Sequence, residues 1–312
     1  MKFLALLAVL AFEQIRPLRN DNAVHAAYVR CVGYLRHLLD AGQYRQGVWG
    51  WILAVVPLIL LAFWAEWLLA RMNGALALLF SVCVLYVTVG FRGFSNYFNE
   101  INKLMSAGDL SGAREQLRLW RNADCRDLDS NAVSRAAIEL GLMSSHRNVF
   151  GPVAWFLVFG PAGALLYRVA ALLQEAWHAR AASDAGLSDE FALFAARAFA
   201  VIDWVPARLT AASFAAVGNF QDAVDCWRAQ AASWPDQSQG IILASGAGAL
   251  GVRLGGVLHA AGSAAIEASR PELGTGDQAD ADYLSSAVGL IWRALVMWML
   301  LAGVVMVAHS LG

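Results

Sequence analysis

Residues 48–70 read VWGWILAVVPLILLAFWAEWLLA, an apolar run interrupted by a single charge, Glu66. A helix needs about 20 apolar residues to cross the hydrocarbon core of a bilayer, so this stretch predicts a membrane span. A tight turn, Arg71-Met72-Asn73, separates it from a second apolar run over residues 74–90, GALALLFSVCVLYVTVG, which is slightly shorter. Together they read as a transmembrane hairpin, with residues 13–47 and 92–148 on one side of the membrane.

The rest of the chain agrees. Of 312 residues, 59% are hydrophobic and only 15% charged, whereas a soluble domain carries about a quarter charged residues. Mean hydropathy is +0.51. The 12 tryptophans suit membrane–water interfaces. The expected fold is all-α, a polytopic helical membrane protein with a cytoplasmic helical insertion and the lipid bilayer as its surroundings. Arg16, Arg19, Arg30, Arg36 and Arg45 precede the hairpin; Arg92, Lys103, Arg114, Arg118, Arg121, Arg126, Arg135 and Arg147 follow it. The positive-inside rule then places both flanks in the cytoplasm of a bacterial-type inner membrane, crossed by a multi-pass chain. A net charge of −1 gives no general attraction to nucleic acid. Cys31, Cys83, Cys125 and Cys226 show neither CxxC nor Cys/His spacing, so no metal site or disulfide framework is suggested, and each reads as a small buried hydrophobe.

Three regions follow: 1–92, the N-terminal membrane region; 93–148, the cytoplasmic helices; and 149–312, the C-terminal membrane region. The N-terminal run 3–12 has no small-x-small cleavage site and reads as a retained short helix. In 93–145 a helix stops at Gly108, Asp109 caps a second, and residues 127–130 start a third that runs to Gly141. Residues 150–173 read as a third membrane segment broken at Gly160-Pro161, and 191–217 as a fourth. Residues 241–261 are rich in small residues, as close packing of membrane helices requires. A polar loop over 267–282 and a last span over 287–309 complete the chain. Whether 1–12 and 191–217 cross or re-enter stays open. The stretches 106–120 and 216–230 share a Gly-Asp/Asn-helix plan, which two unrelated hairpins would also show.

The fourth segment contains VIDWVPARLT over 201–210, preceded by Arg197. Ionised groups inside a membrane cost several kcal/mol, at least about 2.5 each at mid-helix, and normally face a partner or a wet cavity. Arg197, Asp203 and Arg208 are therefore candidates for an inward-facing polar cluster. Pro206 frees the carbonyl of residue 202 as an extra acceptor. One arginine would pair with Asp203 and the other would hold a carboxylate or phosphate; a purely structural ion-pair cluster is the alternative. Arg168 and Arg293 are weaker candidates that would also suit the membrane interface. His146, at the junction of the cytoplasmic helices with the membrane, reads as an interfacial polar residue, and Glu139 as a surface carboxylate two turns earlier.

Three blocks, FGPAGALLYR (159–168), WVPARLT (204–210) and AGALGVRLGG (247–256), resemble the CobD/CbiB family of cobalamin biosynthesis in the same order. That resemblance implies a membrane ligase that joins an aminopropanol unit, usually as its phosphate, to a corrinoid carboxylate, using ATP and Mg²⁺. DWVPARL (203–209) and Arg147 before a Gly-Pro pair also resemble the AmpE proteins, a membrane branch associated with β-lactamase induction. The resemblance makes Glu139, Arg147, Tyr167, Arg168, Arg197, Asp203 and Arg208 the expected ligand-binding residues. The synthases' E-N-x-x-D-G block reads here Met143-Ser144-Ser145-His146-Arg147-Asn148, and their N-T-L-D reads Ala171-Leu172-Leu173-Gln174. Their paired acids after the matching arginine are Ala198-Phe199, and their Ser-Pro-Asn block is Asp236-Gln237-Ser238. Two functions are thus expected as alternatives: amide-bond formation on a corrinoid or another carboxylate, or non-enzymatic binding of an anionic ligand or a membrane protein partner in cell-envelope signalling.

Overall fold

The structure is a computed structural model that describes residues 2–15, 23–39, 43–183, 189–256 and 270–311. Arg16, Arg19, residues 257–261 of the small-residue stretch and 267–269 of the polar loop lie outside the described residues. The helices are α1 Lys2–Ile15, α2 Ala23–Leu39, α3 Tyr44–Met72, α4 Gly74–Thr88, α5 Phe91–Ser106, α6 Leu110–Arg121, α7 Ser130–Ser145, α8 Gly151–Phe159, α9 Pro161–Ser183, α10 Asp189–Val217, α11 Phe220–Gln230, α12 Gln237–Leu250 and α13 Ala281–Leu311. Three of the described helices, α3, α10 and α13, are long and apolar enough to cross a membrane, or up to four spans if Gly74–Thr88 and Gly93–Ser106 count as one bent span. The chain divides into two compact units, one of residues 1–90, 147–206 and 302–312, the other of 91–146 and 207–301.

In the first unit α3 sets the frame. Trp49 near one end and Trp64 and Trp67 near the other are exposed. Trp49 and Trp67 are about 27 Å apart at 1.5 Å per residue, close to the thickness of a hydrocarbon core, so they match the two aromatic belts. The Arg71 guanidinium lies 4.2 Å over the Trp67 ring, which places a cation at the water-facing end. The turn to α4 is shorter than the sequence suggests: Arg71 and Met72 are still helical and Asn73 alone links the helices. Asn73 closes both ends, its N–H donating to Leu69 O at 2.9 Å and its Oδ1 accepting from Ala75 N at 2.8 Å. At 15 residues, α4 reaches only about 22 Å. The core between α2, α3, α9 and α10 is Val32, Val55, Leu173, Trp177, Phe191 and Ala195.

The expected third span is instead a helical hairpin. α8 has nine residues and ends at Gly160, whose φ of +66° reverses the chain into Pro161 and α9. A Cβ on Gly151 would collide with the Tyr167 ring. In an unbroken helix those residues would stand about 24 Å apart, so α8 folds back on α9. The reversal exposes helix ends that apolar surroundings would leave unpaired, and charged side chains cover them. Lys2 Nζ donates to the carbonyls of Leu157 and Val158 at 2.8 and 3.1 Å. The Glu66 carboxylate stands against Gly160: a Cβ there would lie 3.0 Å from both its oxygens. A cation on the C-terminus of α8 and an anion at the N-terminus of α9 both match the helix dipoles.

The second unit packs α5, α6 and α7 with α11, α12 and a small sheet. Here the stop at Gly108 and the helix starts at Asp109 and within 127–130 fall where the sequence puts them, but the third helix runs past Gly141 to Ser145, because Gly141 packs inside the helix against Phe98 rather than ending it. Gly108 has φ +77°, Asp109 Oδ1 accepts from Gly112 N at 2.9 Å, and Asp129 caps α7 through Ala132 N at 2.7 Å. The small-residue stretch is not a span: α12 has 14 residues, ends at Gly251 and runs into a strand. Its glycines do permit close packing, Gly246 on Leu142 of α7 and Gly248 on the Asp222 backbone of α11, but in the interior of a compact unit. The polar loop holds two short strands, giving a three-stranded sheet of β1 Val252–Gly255, β2 Glu272–Leu273 and β3 Asp277–Gln278 in the order β2-β1-β3. β2 runs antiparallel to β1 with Leu254 opposite Leu273; β3 runs parallel with Arg253 opposite Gln278. Cys125 and Cys226 are buried as expected, but Cys31 and Cys83 are exposed; on the apolar α4 the Cys83 thiol faces outward like any small hydrophobe.

Candidate functional site

In the first unit the expected polar residues are separately partnered. Tyr167 Oη donates to Asp203 Oδ1 at 2.7 Å, and both side chains are buried. Arg168 donates to Asn148 Oδ1 at 2.7 Å. Arg147 forms an ion pair with Glu175 at 2.9 Å. The carbonyl freed by Pro206, that of Ile202, has a partner too: the Trp155 indole N–H donates to it at 3.1 Å.

The inward cluster of Arg197, Asp203 and Arg208 does not form as expected. Arg197 is exposed, its guanidinium 5.8 Å over the Tyr44 ring. The reason is helical periodicity. α10 continues unbroken through Pro206, and at about 100° per residue Asp203 is turned some 120° from Arg197 and 140° from Arg208. Arg208 is half-buried on its own face. Arg293, on α13, is exposed, with Nε donating to Gly289 O at 3.2 Å.

In the second unit, α7 carries a different constellation. Glu139, read as a surface residue, is 8% exposed. Its Oε1 accepts from the Gly255 N–H at 2.7 Å and its Oε2 pairs with Arg270, whose guanidinium lies 5.1 Å over the Trp234 ring. The carboxylate thus ties α7 to the end of β1 and to the segment that leads into β2. Gly255 is needed there: its φ is +75°, and a Cβ would collide with the Pro271 carbonyl. His146, also expected at an interface, is fully buried, with Nδ1 2.9 Å from Thr210 Oγ1.

One turn before Glu139 stands Arg135, which faces a cleft of about 150 Å³. The Asp129 cap and the first two turns of α7, with Asn131, Ala132 and Arg135, line it; β1 contributes Arg253 and Leu254, β2 contributes Glu272, and Gln278 and Ala279 close it. Asn131 Nδ2 donates to Gln278 Oε1 at 3.0 Å. Two guanidiniums, two carboxylates and two amides therefore border one small volume. Such a set can grip a planar or tetrahedral anion in guanidinium forks and hold an ammonium on the carboxylates.

Sequence reasoning singled out Glu139 but not Arg253, Arg270 or Glu272, and took Arg135 only as flank charge. Two of these had a signal. Arg253 lies inside the block AGALGVRLGG, and Arg135 precedes Glu139 by four residues, which puts both on one helix face. Arg270 and Glu272 had none, because only the sheet pairing brings them beside β1.

The family described as CobD/Cbib protein matches residues 18–291. The cobalamin biosynthesis protein CobD of Stutzerimonas stutzeri is 36% identical over 83% of this chain and 82% of its own length. That of Chromobacterium violaceum is 36% identical over 78% and 76%, and that of Photorhabdus laumondii 27% identical over 75% and 72%. No solved structure matches the chain. With a family match across most of its length and relatives at this identity, the chain belongs to the CobD/CbiB family.

Proposed function

We propose that the protein is a multi-pass protein of the bacterial inner membrane that forms an amide bond in cobalamin biosynthesis, attaching an aminopropanol unit to a corrinoid carboxylate. The observation that carries this reading is the cleft: it is walled by β1, from the AGALGVRLGG block on which the resemblance to the synthases rests, and both signs of charge border it. The relatives' name, cobalamin biosynthesis protein CobD, supports the pathway. The chain's residues bind and orient in this reading. Arg135 and Arg253 hold anionic oxygens, while Glu139 fixes β1 and Arg270 so that the wall stays formed. Fold alone does not assign chemistry, so the reading rests on this site and the family together.

ATP, when bound, would supply the energy for joining a carboxylate to an amine. The cleft does not fit it. A nucleotide-sized ligand takes a pocket of about 300–1,000 Å³, and the described residues contain no group of three His, Cys, Asp or Glu side chains that could hold a metal. Positions 143–148, where the synthases carry acids, hold no carboxylate. We therefore derive no step through ATP or Mg²⁺.

That same block favours a second reading, an AmpE-like membrane protein that binds an anion or a partner without catalysis. One experiment separates the two. Purified full-length protein in detergent is incubated with Mg-ATP, adenosylcobyric acid and aminopropanol phosphate, and the product is read by mass. The amide product is expected; its absence, with folded protein and all substrates supplied, removes the ligase reading.

A further inference from the structure

We infer that the cleft at the N-terminal end of α7 is a binding site for a small zwitterion, with an anionic phosphate or carboxylate on Arg135 and Arg253 and an ammonium on Glu272. This rests on the proposed function only in naming the amine substrate as the occupant.

Size is the first argument. About 150 Å³ lies below the roughly 300–1,000 Å³ of sites that enclose drug-sized ligands, and suits a ligand of a few heavy atoms such as an amino alcohol phosphate. Charge is the second. A site for a bare anion would be lined by cations and amides; here Glu272 and Asp129 border the same volume as Arg135 and Arg253, and two carboxylates on a purely anion-binding site would oppose binding. Asp129 Oδ1 is committed to capping α7 through Ala132 N, which leaves Glu272 as the main partner for an ammonium. Geometry is the third. The first turn of a helix carries partial positive charge, and Asn131 and Ala132 of that turn border the cleft, which favours the anionic end on the α7 side, toward Arg135 one turn on. Glu272 sits on the neighbouring strand, opposite Gly255, so the two charged ends are held by different elements. Rigidity is the fourth. The Glu139 contacts to Gly255 N and Arg270, and the Asn131–Gln278 hydrogen bond, brace the wall before any ligand arrives. A braced site loses little on ordering.

Arg253 and Glu272 are both exposed, so their substitution leaves the fold in place, as circular dichroism and size exclusion would verify. The test is calorimetric titration of the full-length protein in detergent with 1-amino-2-propanol phosphate, 1-amino-2-propanol, inorganic phosphate and β-alanine. One of the two zwitterions should bind at least about tenfold more tightly than inorganic phosphate or the amino alcohol, the factor of one charge-assisted hydrogen bond; which one it is identifies the anion. Arg253→Ala should weaken that zwitterion and inorganic phosphate together by about tenfold, and Glu272→Gln should weaken the zwitterion and leave inorganic phosphate unchanged. Wild-type affinities in both variants, or no preference for a zwitterion over inorganic phosphate, overturn the inference. If the zwitterion binds as described but no amide forms, the ligase reading fails and the site stands. If the amide forms with an unchanged KM in both variants, the site fails and the ligase reading stands.

Discussion

The two units differ in whether their charged side chains also border a cleft. In the first unit, Tyr167 closes on Asp203, Arg168 on Asn148, Arg147 on Glu175, Lys2 on the carbonyls of α8 and Trp155 on the Ile202 carbonyl. In the second unit Glu139 is closed likewise, on Gly255 N and Arg270, and His146 lies against Thr210, but Arg253 and Glu272 border an open cleft. The difference teaches how to separate structural charge from charge that receives a ligand. Where water is scarce, a polar group must be satisfied by the protein itself, so its presence says little about ligands. Where the surface is wet, two arginines and two acids held around a small volume by braced walls are the more informative arrangement.

The largest effect that would sharpen this contrast is at Glu139. Glu139→Ala leaves Arg270 without its carboxylate and the Gly255 N–H without an acceptor, and should cost about 3–5 kcal/mol as an interrupted buried pair, read as a lowered thermal midpoint in detergent. A cost below about 1 kcal/mol would mean that water already satisfies the node. Next is Tyr167→Phe, which removes the donor to the buried Asp203 carboxylate and should cost about 1–3 kcal/mol in the same assay, with zwitterion affinity unchanged. A change in ligand affinity of tenfold or more would erase the division of labour between the units.

A smaller effect tests the proline directly. Trp155→Phe should cost about 1 kcal/mol by removing the donor to Ile202 O. In a Pro206→Ala background residue 206 regains its N–H, which is placed to bond Ile202 O within the helix, so the same Trp155 change should cost nothing further. A double-mutant cycle measures the coupling, and additivity of the two changes would refute the link. The smallest effect is at Asp109. Hydrogen bonds from Gly112 N and then the Ser111 hydroxyl hold its carboxyl below the usual carboxylate range. Because the folded value is the lower one, the contribution is complete above the unfolded value, about 3.9, and is lost as pH falls through the folded value. Asp109→Asn, still a good cap, should leave neutral-pH stability nearly unchanged and flatten the acid limb of a stability-versus-pH curve. An acid limb identical to that of the wild type would show that the cap does not titrate as described.

Much of this molecule is legible from its residues, and what is not has specific causes. The α3 span, the helix stop at Gly108, the Asp109 cap, the start of α7 within 127–130 and the extra acceptor at residue 202 follow from local rules that need no tertiary contact. At about 100° per residue, Asp203 is already turned away from Arg197 and Arg208 along α10. The hairpin of α8 and α9 was less accessible. Gly160-Pro161 announces a break, but only the packing of Tyr167 against Gly151 shows that the chain reverses rather than bends.

The sequence by itself determined the all-α class, the main apolar spans, the family and the family blocks, because hydropathy, caps and motif order act along the chain. Tertiary structure decided the rest. Whether a charged side chain is closed on a partner or borders a cleft depends on what other elements bring to it, and Arg253, Arg270 and Glu272 meet Arg135 and Glu139 only once β1 and β2 pair and lie against α7. Distance through space, which carries electrostatics and hydrogen bonding, is not a function of separation along the chain.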